Sequence, residues 1–151
     1  MSLLDSTIKI GKKSAPNRIV NQPMECNDAD EGGNPSERTF DRYRKLAEGG
    51  AGIIFLEAIT ITQESRARKN QLGIYEKTAP MLERLVKEVK AVNPKPLFLF
   101  QITHSGQQSE AGFSRRVSVY PLPGQQTQIL TEGEIEKIGD DFAKAARIAV
   151  R

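Results

Sequence analysis

Three apolar runs along the chain end in polar residues, and each is followed by a loop and a helical pattern. They cover residues 19–24, 52–58 and 96–104. Each run is apolar along its length instead of alternating, which is typical of strands buried on both faces of a parallel sheet. The pattern predicts an α/β fold in which crossover helices join parallel strands. Ligands bind such sheets at the carboxyl ends of the strands.

The spacing of apolar residues predicts three helices. The first covers residues 36–48 and the second residues 78–92, with Thr78 as its N-terminal cap. The third begins at Thr131 and continues to the end of the chain. Thr131 and Glu134 have the spacing of a capping box, in which each side chain satisfies a free backbone N–H of the other residue.

The first 18 residues form a lead-in, with a hairpin turn predicted at residues 9–12. Residues 1–151 have the length of a single domain. A closed eight-stranded barrel takes about 250 residues, and the third helical pattern reaches Arg151 without the glycine or proline that usually ends a helix. We therefore expect the front part of a longer protein, with a small open sheet as the alternative.

Charge and composition narrow the function classes. The net charge is +3, from 22 basic and 19 acidic residues. Because the two signs are interspersed along helix faces, a nucleic-acid partner is not expected. The densest basic group is Arg66, Arg68 and Lys69, interpreted as a solvated loop or, alternatively, as a contact for an anion or subunit. No apolar run approaches the roughly 20 residues of a membrane span. The single cysteine, Cys26, excludes an internal disulfide and predicts a reducing, cytoplasmic setting.

One histidine and one cysteine cannot assemble a His/Cys metal site, and no phosphate-binding glycine motif follows a strand. The remaining candidates for a binding site are amide and backbone groups at the strand ends. Gln101 offers a donor and an acceptor, which suits a planar heterocycle such as a flavin pyrimidine ring or, equally, a buried amide satisfied by its neighbours. Met24 is interpreted as core filler, His104 as a hydrogen-bonded structural residue and Cys26 as an inert thiol.

Four segments resemble the Old Yellow Enzyme family of FMN-dependent oxidoreductases. They are residues 17–24, residues 49–58, the Gln-Ile-Thr-His-Ser-Gly segment at 101–106, and residues 121–149. The segments span essentially the whole chain in the family's order. Each motif is modest, but the ordered set is specific.

The resemblance implies a TIM (β/α)8 barrel that holds FMN at the carboxyl-end mouth. It implies hydride transfer from NADH or NADPH to an activated alkene: an enone, an enoate or a dienoyl thioester. Pro23, Met24 and Glu25 would flank the isoalloxazine ring, Ala58 would approach its carbonyl and N5 edge, and Gln101 would bond its pyrimidine edge. The partner is then a small molecule; a homo-oligomer is compatible with the sequence, which does not determine the oligomeric state.

Two departures from the family pattern stand out. Glu25 takes the place of a small polar residue, cysteine or histidine, which predicts a lowered flavin potential or an outward-turned side chain. Gln107 replaces an arginine. The family's substrate-activating His/Asn or His/His pair and its proton donor come after the third helix, so the catalytic residues are unknown and this chain supplies part of the flavin site only. Two alternatives stay open: a non-catalytic fragment or split component that acts through a partner chain, and another type of flavin barrel.

Overall fold

The lead-in hairpin is present. In the computed structural model, which describes residues 2–110, 112 and 114–151, strands β1 (Ile8–Ile10) and β2 (Lys13–Ala15) pair antiparallel. The turn between them contains Gly11 at φ 57°, a left-handed conformation that glycine adopts at little cost. A short 3-10 helix, Leu3–Asp5, precedes the hairpin.

The predicted parallel sheet is also present. Its strands are β3 (Val20–Asn21), β4 (Ile53–Thr60) and β5 (Leu97–Thr103), in the order β3-β4-β5, and both pairings are parallel. β4 extends two residues beyond the predicted end at Ala58.

The first strand is much shorter than predicted. Only Val20 and Asn21 pair with β4, whereas the apolar run continues to residue 24. Pro23 has no backbone N–H to give to a ladder, and the N–H of Met24 donates to the carbonyl of Gln22 (2.8 Å) within a tight turn. The prediction of a strand through Met24 is therefore wrong.

Helices α1 (Glu37–Glu48), α2 (Ala79–Val92) and α3 (Glu132–Ala149) lie where the spacing predicts them. The capping box of Thr131 and Glu134 is confirmed. Thr78 does not cap α2 with its side chain; its hydroxyl donates to the Gly73 carbonyl (2.7 Å) and accepts from the Tyr75 N–H (3.2 Å). Thr78 is the N-cap residue of α2, as predicted, but its buried hydroxyl closes the preceding turn instead of accepting from a helix N–H.

The segment between β5 and α3 contains a 3-10 helix, Gly106–Gln108. It also contains strands β6 (Val117–Ser118) and β7 (Gln128–Ile129), which pair in parallel.

The core lies between the sheet and the helices. Phe40 and Tyr43 of α1 and Leu85 of α2 pack with Ile54 and Leu56 of β4, and all five side chains are almost fully buried. Burying a side chain of this size stabilises a fold by about 1.5–3 kcal/mol. Alternate residues of β5 face this core: Phe98, Phe100 and Ile102. The opposite face of the sheet carries Gln101. We call it the open face because Leu99 and Gln101 are exposed there, although Ile53 and Thr60 are buried.

Candidate functional site

A β-bulge in β4 brings two of the predicted site residues together. Leu56 pairs with Phe100, but the next pair along the strands is Ala58 with Gln101, so Glu57 is an extra residue in β4. Register partners on neighbouring strands present their side chains to the same face of a sheet. Because Ile59 and Ile102, the next pair, belong to the core side, Ala58 and Gln101 lie on the open face.

Gln71 links this pair to Glu25. Its side chain is buried, and its Nε2 donates to the Ala58 carbonyl (2.9 Å) and to Oε2 of Glu25 (3.2 Å). Its Oε1 accepts from the N–H of Ala67 (2.6 Å). Glu25, Ala58 and Gln101 therefore lie at one edge of the sheet, which we call the rim.

The carboxylate of Glu25 is half-buried and turned towards Gln71. Burial raises its pKa above the usual range, while the charge of Arg68 and a hydrogen bond from Asn27 act in the opposite direction. The rim thus carries an acidic group whose neutral form is favoured more than that of an exposed glutamate.

Gln101 is exposed, and its side-chain amide has no hydrogen-bond partner among the described residues. The interpretation of a buried, internally satisfied glutamine is therefore wrong. The amide of Gln101 offers one oxygen acceptor and one NH₂ donor beside the methyl group of Ala58. A donor and an acceptor side by side match the edge of a planar heterocycle. Flat ligands can approach closely here because alanine adds so little bulk.

Met24 is 74% exposed, so its interpretation as core filler is wrong. The turn that ends β3 carries the chain off the sheet before this residue. Pro23 next to it is half-buried. Both stand beside Glu25 in the loop after β3.

A cluster of ionised side chains under this loop was not identified from the sequence. Arg42 bonds both Asp28 and Glu57, and the side chain of Glu57 is fully buried. Burial raises the pKa of Glu57, although Arg42 and the Cys26 N–H oppose that shift. Asp28 is also partly desolvated, but hydrogen bonds from Arg42 and Thr39 hold its pKa below the usual range. A glutamate inside an apolar strand was the available signal, because a buried charge requires a counter-charge.

His104 is a structural residue, as predicted: its Nδ1 accepts the N–H of Gly106 (3.0 Å). Burial, and secondarily the charge of Arg115, lowers the pKa of the imidazole. Cys26 is exposed, and partial desolvation raises its thiol pKa. Its interpretation as an unactivated thiol agrees with that direction, because the thiolate is the reactive form.

The basic group after β4 is not simply a solvated loop. Arg66 is buried and donates to the carbonyls of Glu31 (3.0 Å), Gln63 (3.2 Å) and Lys69 (2.7 Å). Lys69 pairs with Glu31. Arg66 therefore orders this loop, and the solvated-loop interpretation is wrong for it.

A cleft of about 670 Å³ lies between the loop after β4 and α3. Its charged walls pair with each other, Arg115 with Glu134 (2.8 Å) and Lys137 with Asp141 (3.2 Å). The described walls do not include Glu25, Ala58 or Gln101. We therefore place the candidate site at the rim and not in this cleft.

Among residues 2–110, 112 and 114–151, no three His, Cys, Asp or Glu side chains are grouped so that they could hold a metal ion. Nor does any helix in these ranges have the length and apolar character needed to cross a bilayer.

Residues 4–151 match the model of the NADH:flavin oxidoreductase / NADH oxidase family. An NADPH dehydrogenase of Clostridium acetobutylicum is 36% identical over 138 residues, which is 88% of this chain and 40% of that protein. An NADH oxidase of Thermoanaerobacter brockii is 34% identical over 148 residues, 91% of this chain and 22% of that protein. The chain thus spans less than half the length of either relative.

The structural comparison agrees. The crystal structure of Old Yellow Enzyme from Pichia sp. AKU4542 superimposes with a TM-score of 0.87 and 20% identity over 98% of this chain and 42% of that one. This likeness establishes the fold alone: a mixed α/β arrangement that is consistent with part of a barrel. The resemblance recognised in the sequence is confirmed.

Proposed function

The chain belongs to the NADH:flavin oxidoreductase / NADH oxidase family, and from this premise we propose that the full-length protein is an FMN-dependent NAD(P)H oxidoreductase that reduces activated alkenes. FMN and a nicotinamide nucleotide are the cofactors of this family. Residues 1–151 would supply one part of an FMN-binding barrel. Enones, enoates and dienoyl thioesters are the proposed substrate classes, and a cytoplasmic location stays a prediction.

The rim residues fit one edge of a flavin. The side-chain amide of Gln101 would bond the pyrimidine edge, and the small side chain of Ala58 leaves space for the ring beside it. Pro23, Met24 and Glu25 would flank the ring from the loop after β3. The side-chain amide of Gln101 has no partner among the described residues, which supports this assignment because such a group is available to bond a ligand.

FMN, when bound, supplies the hydride chemistry; the residues of this chain orient it and tune its environment. Gln101 would orient the ring through the oxygen and the NH₂ group of its side-chain amide. Gln71 holds the Ala58 carbonyl and Glu25 at a constant spacing. Glu25 would lie next to the ring, and its carboxylate would disfavour added electron density on the flavin.

The pairing of Ala58 with Gln101, joined to Glu25 through Gln71, is the observation that carries the proposal. The test is oxidation of NADPH and of NADH by the purified full-length protein under anaerobic conditions, with and without cyclohex-2-enone. We expect nucleotide oxidation that depends on the enone. Oxidation that is independent of every alkene class tested would contradict the proposed substrate.

A further inference from the structure

We propose that Arg42 is a positioning residue for the flavin: through Asp28 and Glu57 it fixes the loop after β3 against the bulge of β4. This inference rests on the proposed function. Arg42 lies on α1 and touches none of the residues assigned to the ring, so its effect would act through the groups that it holds.

The guanidinium of Arg42 reaches two carboxylates at once. Its Nη2 lies 2.5 Å from Oε1 of Glu57 and 3.1 Å from Oδ1 of Asp28, and its Nη1 bonds Oδ2 of Asp28. The second oxygen of Glu57, Oε2, accepts the backbone N–H of Cys26 (3.0 Å). The loop after β3 is therefore held at Cys26 and at Asp28, directly after Glu25.

The same cluster holds the bulge. Glu57 is the extra residue of β4, and its backbone N–H donates to the hydroxyl of Tyr43 (2.7 Å). Tyr43 and Arg42 are neighbours on α1, so this helix holds both the backbone and the side chain of Glu57. We call the set of Asp28, Arg42, Tyr43 and Glu57 the clamp.

Removing Arg42 would leave a fully buried carboxylate without its counter-charge. Such a group either takes up a proton or moves towards water, since an uncompensated buried charge is strongly unfavourable. Movement of Glu57 would release the Cys26 N–H and shift the bulge that sets Ala58 opposite Gln101. Both displacements occur at the rim, so we expect flavin binding to weaken in addition to any loss of overall stability.

Arg44 provides a matched control on the same helix. It also pairs with two carboxylates, Asp41 (2.5 Å) and Glu88 (2.8 Å), and it is similarly exposed. Its partners lie on α1 and α2 and not in the loop after β3. Arg42→Met and Arg44→Met therefore each remove two ion pairs, but only the first removes the clamp.

The experiment compares these variants in the full-length protein. After removal of FMN, fluorescence titration measures the affinity for FMN, and hydrogen–deuterium exchange of the apoprotein measures protection of the Cys26 N–H. Arg42→Met is expected to raise the Kd by about tenfold or more and to accelerate exchange at Cys26. Arg44→Met should leave both unchanged.

A pH profile separates positioning from general destabilisation. In Arg42→Met, the affinity for FMN should recover as the pH falls, because protonation of Glu57 removes the uncompensated charge. Three other titratable groups face Glu57: Cys26, Tyr43, whose burial raises its pKa, and Asp28. The pKa of Asp28 is lowered largely by Arg42 itself, so in Arg42→Met the recovery reports protonation of Glu57 and Asp28 together. Wild type and Arg44→Met should show no such recovery.

If Arg42→Met does not fold, Arg42→Lys and Arg44→Lys carry the test. Lysine keeps the charge but cannot span Asp28 and Glu57 with a planar fork, so Arg42→Lys should bind FMN about threefold or more weakly than Arg44→Lys. Equal Kd and exchange values in either matched pair would overturn the inference while leaving the proposed function intact. A wild-type protein that binds no FMN would overturn both.

Discussion

Ala58 lies opposite Gln101 in the pairing of β4 and β5 because Glu57 is inserted as an extra residue between Leu56 and Ala58. Without this bulge, Glu57 would take the position opposite Gln101, and a carboxylate would occupy the open face of the sheet. Because of the bulge, the carboxylate of Glu57 points towards the clamp, and the methyl group of Ala58 lies on the open face instead. The inserted Glu57 thus has two effects: it leaves a small side chain, Ala58, opposite Gln101, and it supplies the carboxylate that pairs with Arg42 and bonds the loop after β3.

Replacing Gln101 with alanine is expected to weaken FMN binding without weakening the fold. The lost hydrogen bonds to the ring would cost about 1–3 kcal/mol, or roughly 5- to 150-fold in Kd. Stability should stay constant because the amide has no partner among the described residues. Fluorescence titration of the apoprotein and thermal unfolding measure the two effects. Gln107→Ala, at an exposed position beyond β5, is the control, and equal Kd values for the two variants would contradict the assignment.

Replacing Gln71 with leucine is expected to destabilise the protein by about 2–4 kcal/mol. The Ala67 N–H would lose its acceptor, and the Ala58 carbonyl and Glu25 would lose a shared donor. Denaturant unfolding measures the change, with Gln63→Leu as the control because Gln63 is exposed in the same loop. A difference of less than about 0.5 kcal/mol between the variants, the range of ordinary surface substitutions, would show that Gln71 does not hold the rim.

His104 is expected to make stability depend on pH in the acidic range. Its folded pKa lies below the unfolded value of about 6.5, so the folded state binds fewer protons than the unfolded state. The resulting stability is complete above the unfolded pKa and is lost as the pH falls through about 6.5 towards the folded pKa. Protonation of Nδ1 would also remove the acceptor of the Gly106 N–H.

The free energy of unfolding of wild type, measured from about pH 7.5 to 5.5, should therefore decrease more steeply than that of His104→Asn. Asparagine offers a neutral acceptor and does not titrate. Parallel pH profiles would contradict this role of His104. An NMR titration of the imidazole gives the folded pKa directly, and Arg115→Gln should raise it because the charge of Arg115 contributes to the shift.

Gly49 and Gly52, which lie between α1 and β4, should respond differently to replacement by alanine. A Cβ at Gly52 would overlap the carbonyl oxygen of Asn17, so Gly52→Ala should cost about 1–3 kcal/mol. Gly49, at the end of α1, has φ −66° and meets only ordinary contacts. Gly49→Ala should be neutral or stabilising by up to about 1 kcal/mol. Thermal unfolding of the pair measures the difference, and equal melting temperatures would show that β4 does not approach the lead-in as closely as described.

Most of the architecture could be predicted from the spacing of apolar residues along the chain. Hydrophobic spacing and glycine positions predicted the three parallel strands, the hairpin turn and the bounds of the helices. They could do so because burying one face of a strand or helix requires apolar residues at regular intervals along the chain. The third helix, with its capping box at Thr131, is the clearest case. The early end of β3 was not predicted. Proline commonly ends a strand, but the apolar run continues past Pro23 to Met24 and suggested a longer strand.

The contents of the site were less predictable. The placement of Ala58 and Gln101 near the carboxyl ends of β4 and β5 followed from the sequence, whereas Glu25 lies in the loop after β3 and not at a strand end. The assignment of these residues to a flavin stays a proposal. Gln71 and Arg42 could not be identified because they lie far from the rim residues along the chain and meet them only in the fold. The bulge at Glu57 could not be predicted, because a continuous apolar run does not determine which residues of neighbouring strands pair.

The central claim is that the rim seats FMN, and the absorption spectrum of the purified full-length protein tests it most directly. We predict the bands of an oxidised flavin, shifted from those of free FMN, at one FMN per chain after gel filtration, and release of FMN on denaturation. A colourless protein whose spectrum shows no binding when FMN is added would contradict the account.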